Sequence, residues 1–319
     1  MTSDKDFLRV DYRAVYKAWL AFRKGKQPTG PIDRFAFGLE SYLAQLSSQL
    51  TDRSYKHGTY RQISLTEKKR RDLAVASVRD RVVHRLLYDH LLPIFDSGFD
   101  PDVWSCRTGK GLHKCLDRSQ KLLRKQNASY VWRADITKFF DTVDQQVLLK
   151  CLRRRIGHDK TAIWLCREVV DSYCVKPARG IPIGNLTSQL FANIYLHEFD
   201  RYVRHTLKPQ AYLRYGDDFL LFYPNRRQAH QARKKAGEFL KNDLDLKLNP
   251  KNDIVMPARS GLKFLGHIIT GETLVVDDYT TRRVLKRIDH HNASSYRALY
   301  LLKEVRNGLD WILLDGLDM

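Results

Sequence analysis

Leu213-Arg214-Tyr215-Gly216-Asp217-Asp218-Phe219-Leu220-Leu221-Phe222-Tyr223 is the stretch that decides the fold. Two runs rich in Leu and aromatic residues flank a Gly-Asp-Asp tip, and both residue types tolerate tight-turn backbone angles. The pattern therefore predicts a β-hairpin with carboxylates at its turn. Asp is common at turns because it bonds its own backbone, so the tip alone leaves a structural and a chemical reading open. A second carboxylate shifts the balance. In Tyr130-Val131-Trp132-Arg133-Ala134-Asp135-Ile136, Asp135 ends an apolar strand, and Thr137-Lys138-Phe139-Phe140-Asp141 opens a helix. An acid at a strand end beside an acidic turn gathers the oxygens that Mg²⁺ prefers alongside waters and substrate phosphates. Two such ions, about 3.5–4 Å apart, hold the attacking and leaving oxygens of a phosphoryl transfer.

The composition agrees with a polyanionic partner. Lys and Arg number 56 against 36 acids, a net charge of +20, and 43% of the 319 residues are hydrophobic, which describes a globular chain with a large core. A field of this sign attracts phosphate backbones, although a basic protein without nucleic acid is the rival reading. The five cysteines, Cys106, Cys115, Cys151, Cys166 and Cys174, show no zinc spacing and are expected as free thiols in a reducing cytoplasm. The start, Met1-Thr2-Ser3-Asp4-Lys5-Asp6, is polar, and no apolar run reaches the ~20 residues of a membrane span. Secretion and membrane insertion are not indicated.

The motifs also carry a family resemblance. Tyr215-Gly216-Asp217-Asp218 resembles the Tyr-x-Asp-Asp box of reverse transcriptases, and Asp135 with Phe140 resembles their first catalytic motif. Gly180-Ile181-Pro182-Ile183-Gly184-Asn185-Leu186-Thr187-Ser188-Gln189 resembles the third. All three stand in the family's order, within a resemblance running from about Tyr55 to Gly266. It implies an α+β right-hand polymerase fold: an N-terminal helical segment over 1–54, fingers over 55–130, a palm with an antiparallel sheet, together with part of the fingers, over 131–270 and a small helical thumb over 271–319. The implied activity is RNA-directed DNA polymerisation. Asp135 and Asp217 would ligate two Mg²⁺ ions, replaceable by Mn²⁺, with Asp218 beside them and the Ile136 carbonyl as a further ligand. Arg71, and secondarily Lys69, would meet the incoming triphosphate. Phe140 would crowd a ribose 2′-hydroxyl, and Gln189 would join the nucleotide pocket. Lys251 would donate a proton to pyrophosphate. Arg81, Arg107 and Lys110 would line the nucleic-acid backbone. Plainer readings stand beside these: Glu67 to Arg71 as a solvated turn, Phe140 as a core ring, Lys251 as a turn lysine.

Along the chain, helical spacing predicts elements over 7–24 (Phe7, Val10, Ala14, Ala18, Phe22), and then with Phe35, Leu39, Leu43, Leu46 and Leu50 on one stripe. Alternation predicts two strands, near 60–65 and 73–76. Further helices are expected from Asp80 to about Phe95, over 142–156, 161–174, 185–206 and 226–244. Lys176 to Gly184 is a loop, and Gly261-Leu262-Lys263-Phe264-Leu265-Gly266-His267 resembles the primer grip.

One motif narrows the resemblance. Most reverse transcriptases carry Gln where this chain has Ile183, and Ser-Pro where it has Ser188-Gln189. The combination seen here is that of diversity-generating retroelements, while Gly216 departs from the Met or Ala frequent in that group. This resemblance implies a bacterial or phage enzyme in the cytoplasm that copies a template-repeat RNA with errors at adenines. Its partners would be the RNA/cDNA duplex, dNTPs and a small basic helical accessory protein, with oligomeric state left open. Two rivals share the pattern: a retron or phage-defence reverse transcriptase without adenine bias, and an idle RNA-binding scaffold, which the retained Asp135 and Asp217 disfavour.

Overall fold

The computed structural model describes residues 7–66 and 70–286. The chain runs through α1 (Tyr12–Arg23), α2 (Gly30–Phe37), α3 (Leu39–Thr51), β1 (Arg61–Thr66), β2 (Arg70–Val75) and α4 (Val78–Asp96). Next come α5 (Leu112–Lys125), β3 (Tyr130–Ala134), α6 (Phe139–Thr142), α7 (Gln145–Ile156), α8 (Lys160–Asp171) and α9 (Leu186–Tyr202), followed by a π-helical turn at Val203–Leu207. The remainder is β4 (Ala211–Tyr215), β5 (Asp218–Tyr223), α10 (Arg226–Leu244), β6 (Ile254–Pro257), β7 (Leu262–Phe264), β8 (His267–Ile269), β9 (Leu274–Val276) and α11 (Asp278–Leu285). It is a mixed helix-and-sheet fold whose strand pairs are antiparallel.

These elements form two compact units, each made of separated stretches. Unit one takes the chain up to Asp100, Thr137–Tyr202 and Phe239–Lys247; unit two takes Pro101–Ile136, Val203–Glu238 and the chain from Leu248.

Unit one is mostly helical and carries the β1–β2 hairpin. The Asp11 carboxylate caps α1 by accepting from the Ala14 amide at 3.0 Å, so the helix starts later than the apolar spacing predicts. Its buried face is accordingly Val15, Ala18, Trp19 and Phe22, while Phe7 is exposed and Val10 precedes the helix. The single stripe expected from Phe35 to Leu50 divides at Gly38 into α2 and α3. A Cβ at Gly38 would stand 2.7 Å from the Tyr42 ring. On α9 Phe191, Ile194, Tyr195 and Phe199 are buried and Tyr202 is half-buried, and the α-helix ends at Tyr202 rather than Thr206.

Unit two carries a four-stranded sheet in the order β4-β5-β3-β6 and a three-stranded one, β7-β8-β9. Strand alternation sends Val131, Leu213, Leu220 and Phe222 into a core with Leu116, Leu123, Leu262 and Phe264. On the opposite face Trp132 meets Phe219 edge-on at 5.3 Å and donates its indole N–H to Asp253. Helix α5, whose Cys115, Leu116, Ser119, Leu122 and Leu123 are buried, is an element that apolar spacing alone does not isolate, since Lys and Arg are as many as its apolar residues. Strand β4 lies at the sheet edge, where the Asp102–Trp104 segment runs beside it: the Arg214 amide donates to Asp102 and the Arg214 carbonyl accepts from Trp104, both at 2.9 Å. The segment Gly261 to His267 supplies β7 and the turn into β8. Of the thumb expected over 271–319, only β9 and α11 fall among the described residues.

All five cysteines are free, and three of them, Cys115, Cys151 and Cys166, are buried. Among the described residues no helix is long and apolar enough to cross a membrane.

Candidate active site

The site begins with strand register in unit two. Pairing of Tyr215 with Asp218 makes Gly216-Asp217 a two-residue hairpin loop, with Gly216 at φ +64°. A positive φ at the first loop position belongs to the turns that suit the twist of paired strands, and Gly adopts it at no steric cost. Pairing of Ala134 with Phe219 sets Asp135, the residue after β3, at the same end of the sheet as Asp218. Neighbouring strands lie about 4.7–4.9 Å apart, so the carboxylates of Asp135, Asp217 and Asp218 share one sheet end, all half-buried.

The turn is braced from beside β4. Ser105 Oγ accepts from the Gly216 amide at 2.9 Å, and Arg214 Nη1 donates to the Gly216 carbonyl at 2.9 Å. Arg214 is fully buried in an otherwise apolar strand. Burial, and then the nearby thiols of Cys106 and Cys115, raise the Tyr215 phenol above its ordinary range, so Tyr215 stays neutral beside the acids.

Asp135 is held from β3's other neighbour. Its carbonyl accepts from the Asn249 amide at 2.9 Å, and its Oδ2 accepts from Asn249 Nδ2 at 3.2 Å. Its Oδ1 is buried with no hydrogen-bond partner. A buried carboxylate oxygen without a donor carries a desolvation cost that a cation removes, so this atom fits a divalent metal. Among the described residues no group of three or more His, Cys, Asp or Glu side chains forms a metal cage.

Unit one holds a second group of the expected residues. The Phe140 carbonyl accepts from the Ile181 amide at 2.8 Å, and the Ile183 carbonyl accepts from the Ala74 amide of β2 at 3.2 Å. The Asn185 side chain then donates to the Ala74 carbonyl at 2.8 Å. Phe140, Ile183 and β2 are thereby linked through one loop. Within it Phe139 is the buried ring, at 3% exposure, and Phe140 is half-buried. Gly184 takes φ +98° and is exposed, as is Gln189 on α9. Arg71 lies in β2 with its backbone opposite Leu65; its side chain and the whole of Lys69 lie outside what is described.

The other expected contacts differ in surroundings. Lys251 is exposed, and its amide donates to Asn249 Oδ1 at 3.2 Å. Lys110 Nζ donates to the Pro101 carbonyl at 2.7 Å and sits 4.1 Å from the Trp104 ring centre, while Arg107 donates to the Val103 carbonyl at 3.3 Å. Both therefore brace their own loop. Arg81 stacks over Phe22, with its Nε buried and unpartnered. The sequence reading passed over Asn249, Ser105 and Arg214. The last had a signal: an arginine inside an apolar strand needs a specific partner.

The reverse transcriptase (RNA-dependent DNA polymerase) family matches residues 55–269, well over half of the chain. The chain belongs to the reverse transcriptase family. Protein YkfC of Escherichia coli is 27% identical to this reverse transcriptase over 271 residues, which cover 72% of the chain and 70% of YkfC. Group II intron-encoded protein LtrA of Lactococcus lactis is 25% identical over 209 residues, 62% of this chain but 33% of LtrA, so the chain spans about a third of that relative. In fold it resembles apo telomerase from Candida tropicalis, with a TM-score of 0.52 at 13% identity over 87% of this chain and 61% of that one. The enzyme is thus an RNA-directed DNA polymerase with group II intron-type homologues and a fold of the right-hand polymerase class.

Proposed function

We propose that this reverse transcriptase copies the template-repeat RNA of a diversity-generating retroelement into cDNA with substitutions at adenines, for transfer into a variable gene. The carrying observation is Ile183: half-buried, with its backbone tied to β2, it offers only a hydrocarbon side chain, at the position where the motif resemblance gives most reverse transcriptases Gln. A Gln beside the nascent pair bonds minor-groove groups, and a misshapen pair loses that bond. A neutral hydrogen bond contributes roughly 0.5–1.5 kcal/mol, so Ile relaxes discrimination by up to about tenfold. The adenine preference itself rests on the motif resemblance.

The roles follow the resemblance, with 1–54 as an N-terminal helical segment, 55–130 as fingers, 131–270 as palm and 271–319 as thumb. Asp135, Asp217 and the Ile136 carbonyl would hold two Mg²⁺ or Mn²⁺ ions, with Asp218 adjacent. When bound, the metals would lower the pKa of a primer 3′-hydroxyl and neutralise charge on the leaving pyrophosphate. Asn249 fixes the Asp135 carboxylate by donating to one oxygen, leaving the other for the cation. Phe140 excludes a 2′-hydroxyl, Arg71 and Lys69 meet the triphosphate, Gln189 joins the nucleotide pocket, and Lys251 protonates pyrophosphate. Template RNA, the RNA/cDNA duplex and a small basic helical accessory protein complete the assembly. Two basic proteins repel, so the accessory protein would join through the RNA between them.

The test is to copy a cognate template RNA, with the accessory protein supplied, and to sequence cDNA from wild type and Ile183→Gln. The expected result is substitutions opposite adenines in wild type and up to about tenfold fewer in the variant. Uniformly faithful wild-type cDNA overturns the diversification reading in favour of a retron or defence enzyme.

A further inference from the structure

In unit two, β6 pairs with β3 as far as Ile254 opposite Arg133, and pairing resumes where Leu248 lies opposite Ile136. Ala134 and Asp135 on the β3 side therefore face the longer run Asn249 to Asp253 on the other. Bulges in a strand pair are frequent next to active sites, where they aim a side chain that a regular strand would point elsewhere. This one opens with a turn of its own, since the Asn252 amide donates to the Asn249 carbonyl at 3.0 Å.

Both ends of the bulge are tied to β3. At one end the Asn249 side chain is oriented from two sides: its Oδ1 accepts from the Lys251 amide at 3.2 Å, and its Nδ2 donates to Asp135 Oδ2 at 3.2 Å. At the other end Asp253 Oδ1 accepts from the Trp132 indole at 2.7 Å, and Asp253 Oδ2 accepts from Arg233 Nε at 2.9 Å and Nη2 at 2.8 Å. Asn252 Oδ1 adds a longer bond from Arg133 Nη2, at 3.4 Å. Trp132 is fully buried, and the Asp253 side chain is 9% exposed. Arg233 is half-buried on α10, where Arg226, Arg227, Lys234 and Lys235 are exposed. Bonds between charged groups are roughly twice as strong as neutral ones, so the Asp253 end is the firm one. The Asn249 end hangs on a bond at the long limit of the N–H···O range.

We propose that Asp253 and Arg233 are positioning residues of the polymerase site: by closing the base of the bulge they hold Asn249 against Asp135, and so keep the carboxylate turned with Oδ1 left for a divalent cation. The proposal rests on the metal reading above, in which Asp135 Oδ1 is buried without a donor. Neither residue touches the reacting atoms. Their effect passes through the Asn249 backbone, because a short side chain follows its own Cα and a small shift there breaks the bond to Asp135. A pair that only packed the fold would change stability and leave metal affinity alone.

The full chain would be titrated with Mn²⁺ alone, without nucleotide or nucleic acid, reading free Mn²⁺ by electron paramagnetic resonance. Thermal melting and primer extension at varied Mg²⁺ follow on the same preparations. Arg233→Gln alters a half-buried helix position, Arg233→Lys keeps its charge, Asp253→Asn keeps an acceptor for Trp132, and Asn249→Ala removes the contact to Asp135 directly. Loss of a group that orients a metal ligand typically weakens metal binding or activity by about 10- to 100-fold. Asn249→Ala is expected within that range, and Arg233→Gln and Asp253→Asn each near its lower limit, about 10-fold. Arg233→Lys should recover most of the affinity, and the double variant Arg233→Gln/Asp253→Asn should lose no more than either single, since the two act as one pair. At limiting Mg²⁺ kcat should fall in step while KM for dNTPs is unchanged. Unaltered Mn²⁺ affinity in Arg233→Gln and Asp253→Asn, with only melting lowered, overturns the proposal and returns the pair to packing. Losses that add in the double variant overturn it as well. Asp135→Asn that binds Mn²⁺ like wild type overturns the metal reading, and this proposal with it.

Discussion

The turn at Tyr215–Asp218 and the loop at Gly180–Asn185 are both short connections, but they are held in different ways. The turn is fixed by the register of its own strands and by two bonds to Gly216, from the Arg214 side chain next to it and to Ser105 Oγ. The loop is hung from distant residues. The Gly180 amide donates to the Val143 carbonyl, the Gly180 carbonyl accepts from the Gln145 side chain, Ile181 bonds Phe140, and Ile183 and Asn185 bond Ala74. Carboxylates that receive a metal need a fixed frame, because misplacement of a charge weakens transition-state stabilisation steeply. On the proposed reading, the loop senses the shape of a base pair or sugar through single side chains on a carried backbone.

The strongest way to break the comparison is Asp217→Asn. Loss of the turn charge is expected to lower nucleotide addition by about 10³-fold or more, since metal stabilisation of transition-state charge is worth several kcal/mol, while RNA affinity stays unchanged. Primer extension at wild-type rate would remove the turn from the chemistry.

In the loop's neighbourhood, Phe140→Ala is expected to raise use of rNTPs relative to dNTPs by about 10- to 100-fold, the range for small steric differences in a pocket. Single-turnover incorporation of each sugar measures this. Unaltered sugar preference would return Phe140 to a packing role.

Unit one also carries a pH dependence of its own. His84 and His57 face each other with Nε2 atoms 2.9 Å apart, and burial, followed by the charge of His57, pushes His84 down to about 3 from 6.5. Asp80 opposes this shift and Arg81 adds to it. The folded state keeps His84 neutral while the unfolded chain protonates it below pH ~6.5, so stability is full above that pH and falls as acid is added. Between pH 7.5 and 5.5 the loss should be about 1.4 kcal/mol, close to one full pKa unit of linkage. Urea melts at the two pH values check it, and His84→Gln should flatten the difference.

The smallest effect sharpens the turn's side of the comparison. Ser105→Ala leaves the Gly216 amide without its acceptor, a loss of roughly 0.5–1.5 kcal/mol, or up to about tenfold in kcat. RNA affinity and KM should be unchanged, and Ser105→Thr should restore the rate. Equal losses in Ala and Thr variants would show that the hydroxyl does not position the turn.

Much of the candidate catalytic end was legible in the chain. Apolar runs with acids at their break predict β3, β4 and β5, because a buried strand's apolar run and a turn's tolerance for Gly and Asp are local properties. The start of α1 was less legible. Apolar spacing from Phe7 onward suggested one stripe, and the cap at Asp11 selected another, with Trp19 buried and Phe7 exposed. Helix α5 went unseen because a basic surface diluted its apolar face.

By itself the sequence determined where the candidate acids stand and in what order, since Asp135, Asp217 and Asp218 sit at breaks in apolar runs and their spacing is a property of the chain. Tertiary structure alone decided what surrounds them: Asn249 on one oxygen of Asp135, and Ser105 and Arg214 on Gly216. Those contacts join segments up to 114 residues apart in the chain. Periodicity describes how a segment presents its own side chains, whereas the partner each one meets is fixed only when burial of the whole apolar core brings distant segments together.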